Sequence, residues 1–201
     1  MKIVLGGPPQ SGKSCSREGL KQAIRNIPGA PYPYIITGCP DGEGSWFQET
    51  VTNSPERAAQ LKAAYKANFT PEFVHRVAAS VRNCTLPLTL VDIGGIPSSE
   101  NHEICATATH LVILAGDDPK TGQPWSERIL PWREFAAELG LVVVAEIYSD
   151  YHGTQDTVPT QCPDGVWRGS VHHLERGEAL ADRPTIKALG EILVQLAVAG
   201  N

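Results

Sequence analysis

A glycine-rich segment near the start of the chain constrains the fold more than any other feature of the sequence. Residues 7–14 read Gly-Pro-Pro-Gln-Ser-Gly-Lys-Ser and follow the apolar run Ile3–Leu5. A stretch with apolar residues at helical spacing comes next, from Leu20 to Ile27. A strand, a G-x-x-x-x-G-K-S loop and a helix in this order form a phosphate-binding unit, because backbone N–H groups of the loop and the start of the helix converge on phosphate oxygens. The sequence therefore predicts a site for a nucleoside triphosphate.

The residue types in this loop, hereafter the phosphate loop, indicate what each position does. Glycines at 7 and 12 permit backbone angles and a close approach that a side chain would block. We expect Lys13 to reach the β- and γ-phosphates and the Ser14 hydroxyl to hold Mg²⁺. The predicted phosphate-contacting residues are Gly7, Pro8, Pro9, Gln10, Ser11, Gly12, Lys13, Ser14 and Cys15.

A second segment supplies the carboxylate that a metal-bound triphosphate requires. Leu88–Val91 is typical of a buried parallel strand, and Asp92 follows at its carboxyl end, where ligands bind in open α/β sheets. We expect Asp92 to join Ser14 in holding Mg²⁺. Gly95 completes an Asp-x-x-Gly spacing that would bring a backbone N–H toward the γ-phosphate. The alternative is an ordinary turn after a strand, since Asp and Gly are common in turns.

Strand-like and helix-like segments alternate along the rest of the chain. Strands are predicted at 2–5, 34–37, 88–91, 111–115 and 141–147, with a short additional strand within 166–174. Helix-start signals stand at Ser54-Pro55, Thr70-Pro71, Ser98, Pro124 and Asp182–Pro184. This order predicts an α/β three-layer sandwich, in which helices cover both faces of a mostly parallel sheet. We expect one domain over 1–201, with a loop-rich insertion at about 149–183.

Composition narrows the classes of function. The 201 residues carry a formal net charge of -5, which argues against a dominant nucleic-acid surface. No apolar run approaches the length of about 20 residues that spans a membrane, and no signal-peptide pattern is present. Five cysteines without a C-x-x-C pair are typical of reduced thiols. We expect a cytoplasmic protein that does not bind nucleic acid directly.

Other charged residues are candidates for a part in the chemistry. Asp41 and Glu43 lie in a Gly-rich loop after the second predicted strand. They would hold metal-bound water, act as a base or bind an acceptor substrate, or else belong to a solvated turn. Arg128, Arg133 and Arg168 are candidate phosphate contacts, each with an ordinary ion pair as the alternative. No Asn-Lys-x-Asp motif for reading guanine occurs, which favours ATP over GTP.

Several further segments resemble a known family. They are Pro40–Trp46, Val91–Gly95, Ser99–Asn101, Ala108–His110 and Leu174–Gly177. Together they resemble the AAA-like P-loop domain attached to CRISPR-associated ring nucleases, and the aspartate that ends the third strand suits the kinase–GTPase division of P-loop NTPases. The resemblance implies a role beside type III CRISPR signalling, where cyclic oligoadenylate is made and degraded. A ring-nuclease domain accompanies the P-loop domain in the fused proteins, whereas here the P-loop domain is expected to fill the chain, so no nuclease residues carry over.

Two functions are consistent with these features. The first is an Mg-ATP-binding enzyme, an ATPase or a small-substrate kinase, whose predicted catalytic residues are Lys13, Asp41, Glu43 and Asp92. The second is a nucleotide-sensing module that controls assembly with a ring-nuclease partner without significant turnover. Assembly of several copies of the chain is left open.

Overall fold

A seven-stranded sheet with helices on both faces forms the protein, and the computed structural model describes residues 1–40, 69–175 and 177–200 of it. The strands are β1 (Lys2–Gly6), β2 (Pro33–Thr37), β3 (Leu88–Asp92), β4 (His110–Ala115), β5 (Val142–Asp150), β6 (Thr157–Gln161) and β7 (Trp167–His172). The helices are α1 (Lys13–Arg25), α2 (Pro71–Asn83), α3 (Ser99–Cys105), α4 (Trp125–Arg128), α5 (Leu130–Leu139) and α6 (Pro184–Ala199). The predicted α/β class and mostly parallel sheet are confirmed.

The strand order places the candidate residues at one edge of the sheet. The order is β2-β3-β1-β4-β5-β7-β6, and every neighbouring pair is parallel except β6 with β7. Strand β1, which leads into the phosphate loop, lies between β3 and β4, and Leu5 is directly beside Asp92. Because parallel strands end at the same edge, the phosphate loop and the carboxyl ends of β3, β4 and β5 lie together.

Alternation along the central strands builds two separate cores. Ile3 and Leu5 pack with apolar residues of α1 and α6, whereas Val4 packs on the opposite face with α2, α3 and α5. Successive side chains of a strand point to opposite faces, so a central strand that is apolar throughout is buried on both sides. All three side chains are fully buried. This burial explains why the predicted helices cover both faces.

Several helix starts follow the signals that the sequence carries. The Thr70 hydroxyl accepts a hydrogen bond from the Phe73 N–H at 3.3 Å, and the Ser98 hydroxyl accepts one from the Asn101 N–H at 3.4 Å. Both side chains thereby satisfy N–H groups that have no partner within their own helix. The predicted helix start at Ser54 lies outside the described residues.

The segment 149–183, which the sequence predicts to be loop-rich with a short strand within 166–174, has that strand as β7. It contains both β6 and β7, and β7 extends the parallel sheet beyond β5. The Thr185 hydroxyl bonds the carbonyl oxygens of Thr157 at 3.1 Å and Ser170 at 2.6 Å, which ties the start of α6 to this pair of strands. Among the described residues, no helix has the length and apolar character needed to cross a bilayer.

Candidate functional site

The loop between β1 and α1 has a backbone that only glycine can adopt at two positions. Gly7 has a φ of 142° and Gly12 a φ of 78°. A Cβ at Gly7 would overlap the carbonyl oxygen of Leu114, and a Cβ at Gly12 would overlap the side chain of Leu174. Gln10 also has a positive φ, of 63°, which side chains rarely adopt. The glycine spacing of the motif therefore follows from the shape of the loop and from its neighbours.

Helix α1 starts directly after the second glycine. The Ser16 N–H bonds the Gly12 carbonyl oxygen at 2.9 Å, which closes the first helical turn around Lys13, Ser14 and Cys15. The N–H groups of a first turn point away from the helix, and the helix dipole favours an anion in front of them. The predicted phosphate-contacting residues are therefore brought together at a helix start.

Lys13 is the buried cation of the loop. Its side chain folds back over the loop, and Nζ donates to the carbonyl oxygens of Gly7 at 2.8 Å and Pro8 at 2.9 Å. The residue is 9% exposed. Burial lowers the pKa of the ammonium from 10.5 to about 8, against the opposing attraction of the Asp92 carboxylate. Lys13 is therefore charged at neutral pH in a place that disfavours charge.

Asp92 ends β3 beneath the same loop, as the sequence predicts for its position. The residue is 3% exposed, and its Oδ2 lies 3.2 Å from Nη1 of Arg17 in α1. A desolvated carboxylate is stable only with positive charge or hydrogen-bond donors around it. Arg17 was not among the candidates from the sequence, because nothing local links position 17 with position 92.

Gly95 lies against the phosphate loop, where the Asp-x-x-Gly spacing would place it. A Cβ on Gly95 would come within 2.6 Å of the Pro9 nitrogen. That distance is too short for any real side chain, so the two backbones are in direct contact. The segment after β3 therefore touches the loop that would hold the phosphates.

Of the three candidate arginines, Arg128 alone contacts the phosphate loop. Its guanidinium donates to the carbonyl oxygens of Gly116 at 2.5 Å and Pro9 at 3.3 Å, and its side chain is 9% exposed. The carboxylate of Asp118 stands 4.0 Å away. Arg128 therefore links the end of β4 to the phosphate loop and places a second cation beside it.

Arg133 and Arg168 form ordinary ion pairs, the alternative to a phosphate contact, because both pair with Glu146 of β5. Their Nε atoms lie 2.6 Å and 2.8 Å from the Glu146 oxygens, and Arg168 also bonds Asp164. Burial alone would raise the pKa of the Glu146 carboxyl, but the hydrogen bonds from the two arginines outweigh burial and hold it below its usual range. These arginines stabilise the sheet.

A cavity that the sequence does not predict lies next to the phosphate loop. Its volume is about 530 Å³, and Gln10 and Gly12 of the loop form part of its wall. The opposite wall comes from the ends of β4 and β5 and from the following loops, and includes Asp117, Tyr148, Asp150 and Tyr151. The clue in the sequence was the polar stretch 148–150, which continues β5 beyond its apolar run.

One hydrogen bond joins the two strand ends that form this wall. The Tyr148 hydroxyl donates to the Asp117 carboxylate at 3.0 Å, and the Trp125 N–H donates to the same carboxylate at 2.7 Å. Burial and the bond to Asp117 raise the pKa of Tyr148 to about 12. Tyr148 is therefore a neutral hydrogen-bond donor throughout the physiological range.

Asp41 and Glu43, with the loop to Trp46, lie outside the described residues. Their predicted roles stay predictions.

The two predicted metal ligands, Ser14 and Asp92, have side chains of the kind that a hard divalent cation prefers. Ser14 offers a hydroxyl oxygen and Asp92 a carboxylate, and Mg²⁺ prefers oxygen ligands. The guanidinium of Arg17 already stands against the carboxylate, so this buried position attracts positive charge. These donor types suit Mg²⁺, and the role of Ser14 and Asp92 as its ligands stays a prediction.

Comparison with known proteins identifies the fold. No family model and no curated protein matches the sequence. A plasmid partition protein of Borrelia burgdorferi B31, solved bound to AMPPNP, matches with a TM-score of 0.59 at 11% identity, over 100% of this chain and 98% of that one. The chain has the fold of a P-loop NTPase.

Two further structures agree with this fold. Another structure of a plasmid partition protein from Borrelia burgdorferi matches with a TM-score of 0.58 at 11% identity, over 100% of this chain and 99% of that one. A nucleotide-binding protein from Archaeoglobus fulgidus, in complex with ADP, matches with a TM-score of 0.50 at 12% identity, over 96% of this chain and 87% of that one. At such identities the shared property is the fold.

Proposed function

We propose that the chain binds Mg-ATP and promotes transfer of its γ-phosphoryl group to water or to a small acceptor. The observation that carries the proposal is the meeting of three features at one sheet edge: the phosphate loop, the buried Lys13 ammonium and the Asp92 carboxylate on the neighbouring strand. Preorganised positive groups aimed at developing negative charge are the main source of catalysis in phosphoryl transfer.

The phosphate loop would bind the triphosphate through its backbone. Backbone N–H groups of residues 10–15 would donate to phosphate oxygens, whereas Pro8 and Pro9 have no N–H to donate. Lys13 adds a charge that the loop carbonyls of Gly7 and Pro8 already hold in place. Ser14 and Asp92 would hold Mg²⁺, which when bound neutralises phosphate charge. Arg128 fixes the loop against the end of β4.

The cavity beside the loop would take the nucleoside. Its volume of about 530 Å³ lies within the usual range for small-ligand pockets, about 300–1,000 Å³. Tyr148 and Tyr151 offer aromatic surface, and Asp117 and Asp150 offer hydrogen-bond acceptors for ribose hydroxyls or an exocyclic amine. The missing Asn-Lys-x-Asp motif is the reason to favour adenine.

Asp41 and Glu43 remain the proposed groups for activating water or an acceptor hydroxyl. Their support is the sequence alone: both follow β2, and parallel strands of this sheet end at the phosphate side. A positioned base of this kind typically contributes on the order of 10²–10⁴ in rate.

The biological setting that we propose is type III CRISPR signalling in the cytoplasm, with a ring nuclease as partner. Support comes from the segments that resemble the P-loop domain of ring-nuclease fusions, among them Val91–Gly95 and Leu174–Gly177. Mixing the chain with a type III ring nuclease tests the proposal. Co-elution in size-exclusion chromatography that requires Mg-ATP would support it, and separate elution with and without Mg-ATP would refute it.

One observation favours the second candidate, a nucleotide-sensing module. Ile96 is 61% exposed and directly follows Gly95, whose backbone touches Pro9 of the phosphate loop. A bound γ-phosphate could thus change how an apolar surface residue is presented to a partner. Assembly that responds to AMPPNP, together with negligible single-turnover hydrolysis of ATP, would establish this candidate over the enzyme.

Calorimetric titration with Mg-ATP tests the main proposal. Lys13→Met should weaken binding about tenfold or more, because charged hydrogen bonds to phosphate are lost. Lys187→Met removes an exposed lysine of α6 and serves as the matched control. Equal affinities for wild type and Lys13→Met would overturn the assignment.

A further inference from the structure

The ion pair between α1 and β3 involves the carboxylate that the proposed function gives to the metal. Arg17 lies one helical turn after Lys13, and its Nη1 is 3.2 Å from Oδ2 of Asp92. The two side chains are 17% and 5% exposed. This contact is therefore largely shielded from water. In the nucleotide-free protein it compensates the negative charge of the Asp92 carboxylate.

Two cations would compete for the same group when metal arrives. A guanidinium in contact with a carboxylate oxygen and a divalent ion coordinated by that carboxylate repel each other strongly, because shielded charges are poorly screened. Asp92 can satisfy the full charge of only one of them. Metal loading therefore has to loosen the contact with Arg17.

We propose that Arg17 is a positioning residue that holds Asp92 before metal loading and yields it to Mg²⁺ when the nucleotide binds. The inference rests on the proposed function, since it needs Asp92 to be a metal ligand. It assigns to Arg17 a role that the phosphate-loop motif does not include. Arg17 keeps the empty site stable and at the same time weakens its affinity for Mg²⁺, because the pair must open first.

Calorimetric titration with AMPPNP, once with Mg²⁺ and once with EDTA, separates the metal from the nucleotide. Arg17→Met should tighten AMPPNP binding in Mg²⁺ by about fivefold, the size of effect that one intramolecular hydrogen bond typically has on an equilibrium constant. No tightening should occur in EDTA. Arg25→Met removes an exposed arginine from the same helix and should change neither affinity.

A second comparison distinguishes positioning from a purely structural role. In an Asp92→Asn background, Arg17→Met should no longer tighten binding, because the carboxylate under competition is gone. In EDTA, the melting temperature of Arg17→Met should be lower than that of wild type. Adding Mg²⁺ and AMPPNP should raise the melting temperature of Arg17→Met by more than it raises that of wild type. Arg17→Lys keeps a shorter cation, so its AMPPNP affinity in Mg²⁺ should lie between those of wild type and Arg17→Met. If Arg17→Met does not fold, Arg17→Lys replaces it in the titrations.

The outcomes separate this inference from the proposed function. Unchanged or weaker AMPPNP binding by Arg17→Met in Mg²⁺ would overturn the inference, while the proposed function would stand. A wild-type protein that binds AMPPNP in neither solution would overturn the proposed function, and the inference with it.

Discussion

The unfolding free energy of wild type minus that of Lys13→Met should rise by about 3 kcal/mol between pH 7 and pH 10.5. The reason is the placement of the ammonium, which is 9% exposed and whose pKa burial lowers from 10.5 to about 8. Each pKa unit corresponds to about 1.4 kcal/mol, so the folded state disfavours the charged form by about 3 kcal/mol.

The sign follows from the numbers of bound protons. Between pH 8 and pH 10.5 the unfolded chain keeps the Lys13 proton and the folded chain releases it, so the unfolding free energy rises with pH in this window. Below about pH 8 the folded protein carries the full penalty of a buried charge. Above about pH 10.5 neither state is charged and the penalty is gone. Methionine at this position titrates in neither state.

Urea unfolding of the nucleotide-free proteins at steps from pH 7 to pH 10.5 measures the effect. Contributions from groups that do not interact with Lys13 are the same in both proteins and cancel in the difference. Lys187→Met should give a flat difference from wild type, because that lysine is exposed. A difference between wild type and Lys13→Met that stays within about 0.5 kcal/mol over the range would refute the reasoning, since it would mean that the ammonium is not desolvated.

Three further predictions test other parts of the site and of the sheet. Gly95→Ala should weaken Mg-ATP binding about tenfold or more in calorimetry, because its Cβ would meet the phosphate-loop backbone at 2.6 Å. Gly94→Ala is the control: its Cβ would have its nearest neighbour 3.4 Å away, so its affinity should stay within about twofold of wild type. Equal losses of affinity in the two variants would contradict the contact. Glu146→Gln should lower the unfolding free energy by about 2 kcal/mol in urea titrations, because charged hydrogen bonds are lost, and an unchanged midpoint would refute this. Asp41→Asn and Glu43→Gln should each lower the single-turnover rate by a factor on the order of 10²–10⁴ while ATP affinity changes a few-fold. Wild-type rates in both variants would mean that their loop is a solvated turn.

The parts of the site that the sequence predicts are those in which local chemistry sets the structure. The glycines at 7 and 12 have backbone angles that side chains disfavour, so their spacing identifies the loop even before their contacts with Leu114 and Leu174 are known. Asp92 was predictable because an apolar run marks a buried strand and its carboxyl end marks the ligand side of the sheet. The same holds for the helix that starts after Thr70, whose hydroxyl caps it.

The parts that the sequence did not predict depend on contacts between distant positions. Strand β6 contains Pro159, which argues against a strand, yet β6 is an edge strand, where a missing N–H donor is tolerated. Glu146 is charged within an apolar run, and its burial depends on Arg133 and Arg168, 13 and 22 positions away. Arg17 meets Asp92 across 75 positions. Periodicity carries no signal for such pairs.

Three cations lie close together around the phosphate loop, although carboxylates stand beside two of them. The chain carries a formal net charge of -5, yet Lys13, Arg17 and Arg128 all lie close to the loop or to the Asp92 carboxylate beneath it. Because these cations are mostly buried, salt screens them less than it screens surface charges, and their field acts on a ligand at short range. These cations therefore favour a polyanion at one sheet edge of a protein whose formal net charge is negative. The proposed binding of a small triphosphate thus depends on three cationic side chains that are largely buried.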